Sequence, residues 1–193
     1  MNSSLLIREA LPRDDEAVGE LLVEAYVKAY AQKMPEVVVT DERKRELRSV
    51  AAKRKIATVL VAELDGYLVG TVAVFKPGTP ESEAWLANAA DIRHLAVDSR
   101  LHGRGLSKPL LDEAERIAKS WGIDAICLHV RRGNYGVARL YMKRGYVRDC
   151  SGDLDYPSVS LEGYVLQCQP SSSELTTEST APQYSSTLQP ISH

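Results

Sequence analysis

The chain is 193 residues long, 44% hydrophobic and 26% charged, with a net charge of −2, the size and composition of one globular domain with a sizeable core. No apolar run approaches the ~20 residues a membrane span needs, and the first residues, Met-Asn-Ser-Ser-Leu-Leu-Ile-Arg-Glu, lack the basic start and long apolar stretch of a secretory signal. Three widely spaced cysteines, Cys127, Cys150 and Cys168, show no metal-ligand pairing and argue for reduced thiols, a cytoplasmic protein and no bound metal.

Residues 5–10 read as a first short strand. Pro12 sits where a helix can begin, with Asp14, Asp15 and Glu16 in its first turn complementing the dipole. Val18, Leu21, Leu22, Ala25, Tyr26 and Ala29 mark its buried stripe to an end near Tyr30. Met34-Pro35 breaks the pattern. Thr40 or Asp41 caps a second, highly charged helix through about Lys53. Its thin apolar side (Leu47, Val50, Ala51) predicts a place on the surface or beside a groove. Residues 57–64 form a strong strand, Asp65-Gly66 a hairpin turn, and residues 67–75 the antiparallel partner. A loop with Pro77, Gly78 and Pro80 follows and ends near Trp85.

Ile92, Leu95 and Val97 then supply a buried strand, which Asp98 and Ser99 break. Arg100-x-x-Gly103-x-Gly105 comes next, and Leu106, Leu110, Leu111, Ala114, Ile117 and Ala118 recur at helical spacing as far as Ser120. A glycine loop entering a helix leaves several backbone N–H groups without partners and aimed one way, and the helix dipole adds to their field. That arrangement suits a phosphate. Gly103 and Gly105 let the backbone approach it closely. G-x-G-x-x-G and G-x-x-x-x-G-K-[ST] are absent, which excludes dinucleotide-binding and Walker loops. Eleven Lys/Arg and four Asp/Glu lie between Arg100 and Arg148, a surplus of seven positive charges in an acidic chain. A polyanionic small ligand fits that surplus. Nucleic acid is the competing partner, but no aromatic interleaving or nucleic-acid motif accompanies the charge, and several of these side chains belong to solvated helix faces.

Residues 125–130 form a further strand, parallel to the one at 92–97 by the crossover rules. Asn134 starts a helix with Ala138, Leu140 and Tyr141 on or near its inner side, and Gly145 ends it. Tyr146-Val-Arg opens another strand, and residues 159–166 form the last. Of the final 25 residues eleven are Ser or Thr and three are Pro, too polar to offset chain entropy. The folded domain is therefore expected over 4–168 and a disordered tail over 169–193.

Arg100-x-x-Gly103-x-Gly105 after Leu95-Ala96-Val97-Asp98, followed by Leu128-His129-Val130-Arg131, Asn134, Ala138, Leu140-Tyr141 and Gly145-Tyr146 at the expected separation, resembles the two signatures of the GCN5-related N-acetyltransferase (GNAT) superfamily. The resemblance covers about residues 5–167. It implies a mixed α/β fold: a central, mostly antiparallel sheet with splayed parallel strands 4 and 5, flanked by helices. It also implies acetyl-CoA as the acyl donor. The Leu95-Ala96-Val97 backbone would pair with the pantetheine arm as an added strand. Amides of Leu101, His102, Gly103, Arg104, Gly105 and Leu106 would hold the pyrophosphate, with the Arg104 side chain reaching a phosphate, and Asn134 would meet the thioester end.

The implied reaction is direct acetyl transfer in a ternary complex to a primary amine, on a small molecule or a peptide or protein amino terminus, since no cysteine sits in a nucleophile setting. Tyr141 would be the general acid for the coenzyme A sulfur, its other reading being a core tyrosine packed on the sheet. His129 would be the base or water-orienter, its other reading a packing residue. A backbone N–H near Val97 would stabilise the oxyanion. His94 and Asp91 are weaker candidates. Tyr26, Tyr30 and the loop before Trp85 would wall the acceptor groove. The Leu128-His129-Val130-Arg131 string resembles acetyltransferases of peptide amino termini, but Ser99 stands where some of those enzymes place a tyrosine, which weakens the peptide analogy. No nucleic-acid or membrane partner is expected, and a homodimer is left open. A non-catalytic acyl-CoA-binding sensor is the alternative on the same fold; retention of Tyr141 favours the enzyme.

Overall fold

In the computed structural model, which describes residues 4–33, 38–157 and 159–168, the chain opens with strand β1 (Leu5–Glu9) and helix α1 (Asp15–Lys33). Two short helices, α2 (Asp41–Arg48) and α3 (Val50–Ile56), lead into β2 (Ala57–Leu64), β3 (Tyr67–Phe75) and β4 (Ala89–Val97). Helix α4 (Ser107–Lys119), β5 (Ala125–Arg131) and α5 (Tyr135–Met142) follow, then β6 (Val147–Arg148), β7 (Leu154–Tyr156) and β8 (Val159–Gln167). The strands form one sheet in the order β1-β2-β3-β4-β5-β8-β6, with β7 also paired to β8. Every pairing is antiparallel except β4 with β5, which is parallel. The expected tail lies outside the described residues.

Local chemistry accounts for most of these boundaries. Asp65 and Gly66 take φ values of 50° and 85°, the left-handed pair that a two-residue hairpin between β2 and β3 needs. Thr40 Oγ1 accepts the Arg43 N–H at 3.1 Å and starts α2. The single helix expected from Thr40 to about Lys53 is in fact two, because Ser49 swings to ψ 50° and leaves the helical region. Leu47 and Val50, on either side of that break, are wholly buried. Helix α1 runs past Tyr30 to Lys33, β4 begins earlier than expected, and β7 was not foreseen. Among the described residues no helix is long and apolar enough to cross a membrane.

The sheet is covered on both faces. Leu110, Leu111, Ala114 and Ala118 of α4 pack on Leu60, Val72, Val74, Ile92, Ile126 and Leu128. On the other face Val18 and Leu22 of α1, with Leu47 and Val50, pack on Val59, Val61, Ala73, Phe75 and Ala96. Each fully buried Leu or Val contributes roughly 1.5–3 kcal/mol.

Strand β4 departs from regularity where the site forms. Its ladder with β3 pairs Arg93 with Ala73 and resumes at Ala96 with Thr71. His94 and Leu95 therefore oppose Val72 alone, a β-bulge with His94 at φ 58°. The extra residue resets the alternation: Ile92, Leu95 and Val97 pack toward α4, while Ala96 packs toward α1. The parallel ladder with β5 runs from Ala89–Ala125 to Ile92–Leu128 and stops there, while β5 continues along β8 to Arg131. Beyond Ile92 the two strands part.

Candidate active site

A cleft of about 250 Å³ lies along the freed edge of β4, lined by Leu95, Ala96, Val97, Leu101, His102, Gly103, Gly105, Leu106 and Ser107. The turn from β4 is built by Asp98, whose Oδ1 accepts the Arg100 N–H at 2.9 Å. The Arg100 guanidinium grips the same carboxylate at 2.6 Å and holds it below the usual carboxylate range. Gly103 and Gly105 sit at φ 81° and 74° with open space where a Cβ would lie, so backbone conformation, rather than crowding, calls for glycine here. Helix α4 starts without a side-chain cap and without an acidic residue in its first turn. Among the described residues no backbone carbonyl accepts from the amides of Gly103, Gly105, Leu106 or Ser107. These amides and the helix dipole leave a field for an anion. The Arg104 side chain is exposed and is not among the lining residues. His102 Nε2 lies 3.1 Å from the Val97 carbonyl on the strand edge.

At the start of α5, Asn134 does not cap the helix with its side chain. Its Oδ1 is buried and has no hydrogen-bond partner among the described residues. About two turns on, Tyr141 is 5% exposed and meets the Tyr146 ring edge-on at 5.5 Å. Burial, reinforced by Tyr26, pushes its phenol well above its ordinary pKa, so it carries its proton at neutral pH.

A larger cleft, about 540 Å³, opens on the α1 side of the sheet, with walls from Tyr26, Tyr30, Thr40 and Arg43 and a floor from Arg93, His94, His129 and Arg131. The His129 side chain is 5% exposed. Its Nε2 lies 2.7 Å from the Gly152 carbonyl; a carbonyl only accepts, so Nε2 carries the proton and Nδ1 is left as a lone-pair nitrogen. Nδ1 has no hydrogen-bond partner among the described residues and lies 3.8 Å from Glu83 Oε2. Burial lowers the pKa of His129, against the opposing pull of the Gly152 carbonyl and Glu83. Trp85 lies against the imidazole at 5.2 Å, and its Nε1 donates to Asp149 Oδ2 at 2.9 Å.

Glu83 is placed by its own backbone N–H, which donates to Asp91 Oδ2 at 2.8 Å, and its carboxylate meets Arg93 at 3.1 Å. Asp91 has no exposed surface, and burial pushes its pKa up to about 6. His94 faces this cleft, away from the Leu95–Val97 edge. The structure thus brings Tyr26, Tyr30, His94 and His129 to one cavity and Leu95, Val97 and the glycine loop to another. Glu83, Arg43, Arg93 and Ser107 were not foreseen: Glu83 stands in an unpatterned loop, and the others read as ordinary surface positions.

The fold has many solved counterparts. An acetyltransferase of the GNAT family from Staphylococcus aureus Mu50 superposes with a TM-score of 0.67 at 16% identity, over 85% of this chain and 99% of that one. The PaiA N-acetyltransferase from Thermoplasma acidophilum, solved in complex with coenzyme A, gives 0.62 at 22% identity, over 83% and 98%. These likenesses define a GNAT fold. The sequence itself matches the acetyltransferase (GNAT) family over residues 16–146, and the chain belongs to that family. It is 33% identical over 86 residues to GCN5-related N-acetyltransferase 4, chloroplastic, of Arabidopsis thaliana, covering 42% of this chain and 30% of that protein. The corresponding figures for GCN5-related N-acetyltransferase 7, chloroplastic, are 32% over 98 residues, 47% and 34%. The match thus spans about a third of the length of these curated relatives.

Proposed function

We propose that the chain is an acetyl-CoA-dependent N-acetyltransferase that passes the acetyl group directly to a primary amine in a ternary complex. The observation that carries this reading is the parting of β4 and β5 beyond Ile92 and Leu128, with the glycine-loop cleft at one side of the opening and the His129 cleft at the other. A thioester entering from the first side meets an amine entering from the second.

The donor side fits coenzyme A. The unpartnered amides of Gly103, Gly105, Leu106 and Ser107 suit the pyrophosphate. The free edge at Leu95 and Val97 suits the amides of the pantetheine arm, provided His102 releases the Val97 carbonyl. The orphaned Asn134 Oδ1 is an acceptor for a pantetheine N–H.

On the acceptor side, burial keeps His129 neutral near pH 7 and its Nδ1 lone pair is free, the condition for a general base. The amine nitrogen forms a bond to the thioester carbonyl carbon and gives a proton to Nδ1. The tetrahedral oxyanion is held by a backbone N–H near Val97. The carbon–sulfur bond then breaks and the thiolate takes the Tyr141 proton; a proton from solvent restores the phenol, and His129 gives the amine's proton to solvent.

Thiol release with acetyl-CoA and a panel of free amines and short peptides tests this directly. Binding of acetyl-CoA with turnover of no amine would replace the enzyme with a non-catalytic acyl-CoA sensor. Tyr141→Phe should lower kcat by about 10²–10⁴-fold while the KM for acetyl-CoA stays within a few-fold; an unaltered chemical step would remove Tyr141 from the mechanism. Two Arabidopsis relatives are chloroplastic by name. For this chain we propose the cytoplasm, a reducing compartment with which the free thiols Cys127, Cys150 and Cys168 agree without singling it out; fractionation of the tagged protein decides.

A further inference from the structure

The floor of the acceptor cleft holds a side chain that nothing among the described residues satisfies. His94 is 7% exposed, and neither of its ring nitrogens has a hydrogen-bond partner among the described residues. It faces the 540 Å³ cleft beside Arg43 and Arg93. The β4 bulge holds it at φ 58°, a conformation uncommon for a residue with a side chain. A buried imidazole kept unpaired in a strained backbone is a costly arrangement without a ligand.

The charges that act on His94 are positive: Lys53, Arg93 and Arg43. Lys53 is itself buried, its Nζ donating to the Glu46 carbonyl at 2.7 Å. Arg43 is braced by Glu46 at 2.5 Å and by the Tyr26 ring at 5.6 Å. Arg93 is braced by Glu83 at 3.1 Å and by the Glu81 carbonyl at 2.8 Å. Both guanidiniums are thus fixed before any ligand arrives, the preorganisation that anion recognition needs. Burial, helped by the three cations beside it, keeps His94 neutral, so it offers one N–H donor and one lone pair. In the same cleft His129 Nδ1 and the Glu83 carboxylate stand 3.8 Å apart, two acceptors suited to an amine.

We infer that the acceptor is an amine that also carries a carboxylate-sized anion, a free amino acid or a similar small zwitterion, with the anion on His94, Arg43 and Arg93 and the amine toward His129 and Glu83. The inference rests on the acetyl-transfer reading above and narrows it. A polyamine or a lysine side chain would bring no anion to His94, Arg43 and Arg93. The same anionic chemistry could arrive on the acidic first residue of a peptide, and the assay separates the two sources.

Thiol release at saturating acetyl-CoA is measured for free amino acids against their carboxamides, for short peptides with acidic or neutral first residues, and for cadaverine. In at least one matched pair the acid should exceed its carboxamide in kcat/KM by tenfold or more. His94→Asn, which keeps a residue tolerant of the left-handed backbone, should reduce that ratio to threefold or less through KM for the acceptor, with KM for acetyl-CoA unchanged. Arg43→Gln should do the same, and melting curves show that both variants are folded.

Turnover of acidic peptides with no turnover of free amino acids upholds the anion site and assigns it to a peptide. Acid-to-carboxamide ratios near one throughout, a preference for cadaverine, or an unchanged ratio in folded His94→Asn overturns it. If no amine is acetylated, the transferase reading fails, and the pocket is still tested by imidazole NMR shifts. Movement of the His94 resonances by amino acids and not by their carboxamides keeps the site; equal or absent shifts remove it.

Discussion

Replacing Asp91 with asparagine takes a buried charge out of β4 behind Glu83 while keeping an oxygen that can hold the Glu83 N–H. Asp91 has no exposed surface, Oδ2 accepts the Glu83 N–H at 2.8 Å, and Oδ1 has no partner among the described residues. Burial outweighs the hydrogen bond and the nearby Arg93 and raises the pKa from 3.8 to about 6. That displacement corresponds to ~3 kcal/mol between the protonated and ionised forms. The folded protein prefers protonated Asp91. The associated stability is therefore complete below pH ~3.8 and is lost as pH rises through about 6. Between pH 4.5 and 7.5 the loss is ~2 kcal/mol. Asparagine does not titrate, so the stability of Asp91→Asn relative to the parent should rise by ~2 kcal/mol over that interval, whatever constant offset the new amide introduces. Urea unfolding followed by tryptophan fluorescence at half-unit pH steps measures it, provided both proteins share one m value. A difference flat to within ~0.5 kcal/mol, about the limit of such extrapolations, would show that Asp91 is not held in the dry setting described.

Three further substitutions probe the two clefts. The acid limb of kcat/KM should have its midpoint below the ordinary histidine value of 6.5, since burial lowers His129, and the rate should climb as Nδ1 loses its proton; an acid limb unchanged in His129→Gln refutes the base assignment. Gly105→Ala forces a side chain into φ 74°, costing ~1 kcal/mol. It should raise the KM for acetyl-CoA several-fold with kcat retained, so a fall in kcat alone would contradict the cradle. In Gly152→Ala the new Cβ lies 2.4 Å from two carbons of the Trp85 indole, which must shift from His129. Overpacking of ~1–3 kcal/mol should lower Tm by roughly 2–4 °C per kcal/mol, and kcat should fall with acetyl-CoA affinity kept. Differential scanning fluorimetry and steady-state kinetics read both effects.

The strand, glycine loop and helix at 92–119 are legible in the sequence because each rests on local rules: apolar runs for the strand, glycines for positive φ, and 3.6-residue spacing for α4. The acceptor cleft is legible only in part. The sequence points to Tyr26, Tyr30, the loop before Trp85 and His129, and the first two, Glu83 of that loop and His129 do line one cavity, but the contacts that fix them join segments far apart. Glu83 is held near His129 by Asp91, buried in β4, which takes its backbone N–H, and by Arg93, and no periodicity announces a loop amide's partner. The break between α2 and α3 has a similar cause. Ser49 is neither Gly nor Pro, and the chain bends there so that Leu47 and Val50 both reach the core beneath α1, a tertiary gain overriding local propensity. The shift in β4 is hidden for a third reason. Strict alternation from Ile92 groups His94 and Ala96 with Ile92, whereas the bulge returns Leu95 to the Ile92 face.

That single extra residue explains how one strand can serve two substrates. Without it, His94 would share the face of Ile92 and enter the apolar layer of Leu110, Leu111 and Leu128, where an unpaired imidazole has no partner. Leu95 would turn into the acceptor cleft and displace the polar floor. With it, Arg93 and His94 both look into the acceptor cleft, Leu95 and Val97 both look toward α4 and the glycine loop, and the ladder to β5 ends at Ile92. A register slip reverses every side chain beyond it, so the bulge divides β4 into a stretch that closes the sheet and a stretch that separates donor from acceptor. Its conformational cost is concentrated at His94, the residue with φ 58°, and that is also the residue whose nitrogens are left for a ligand.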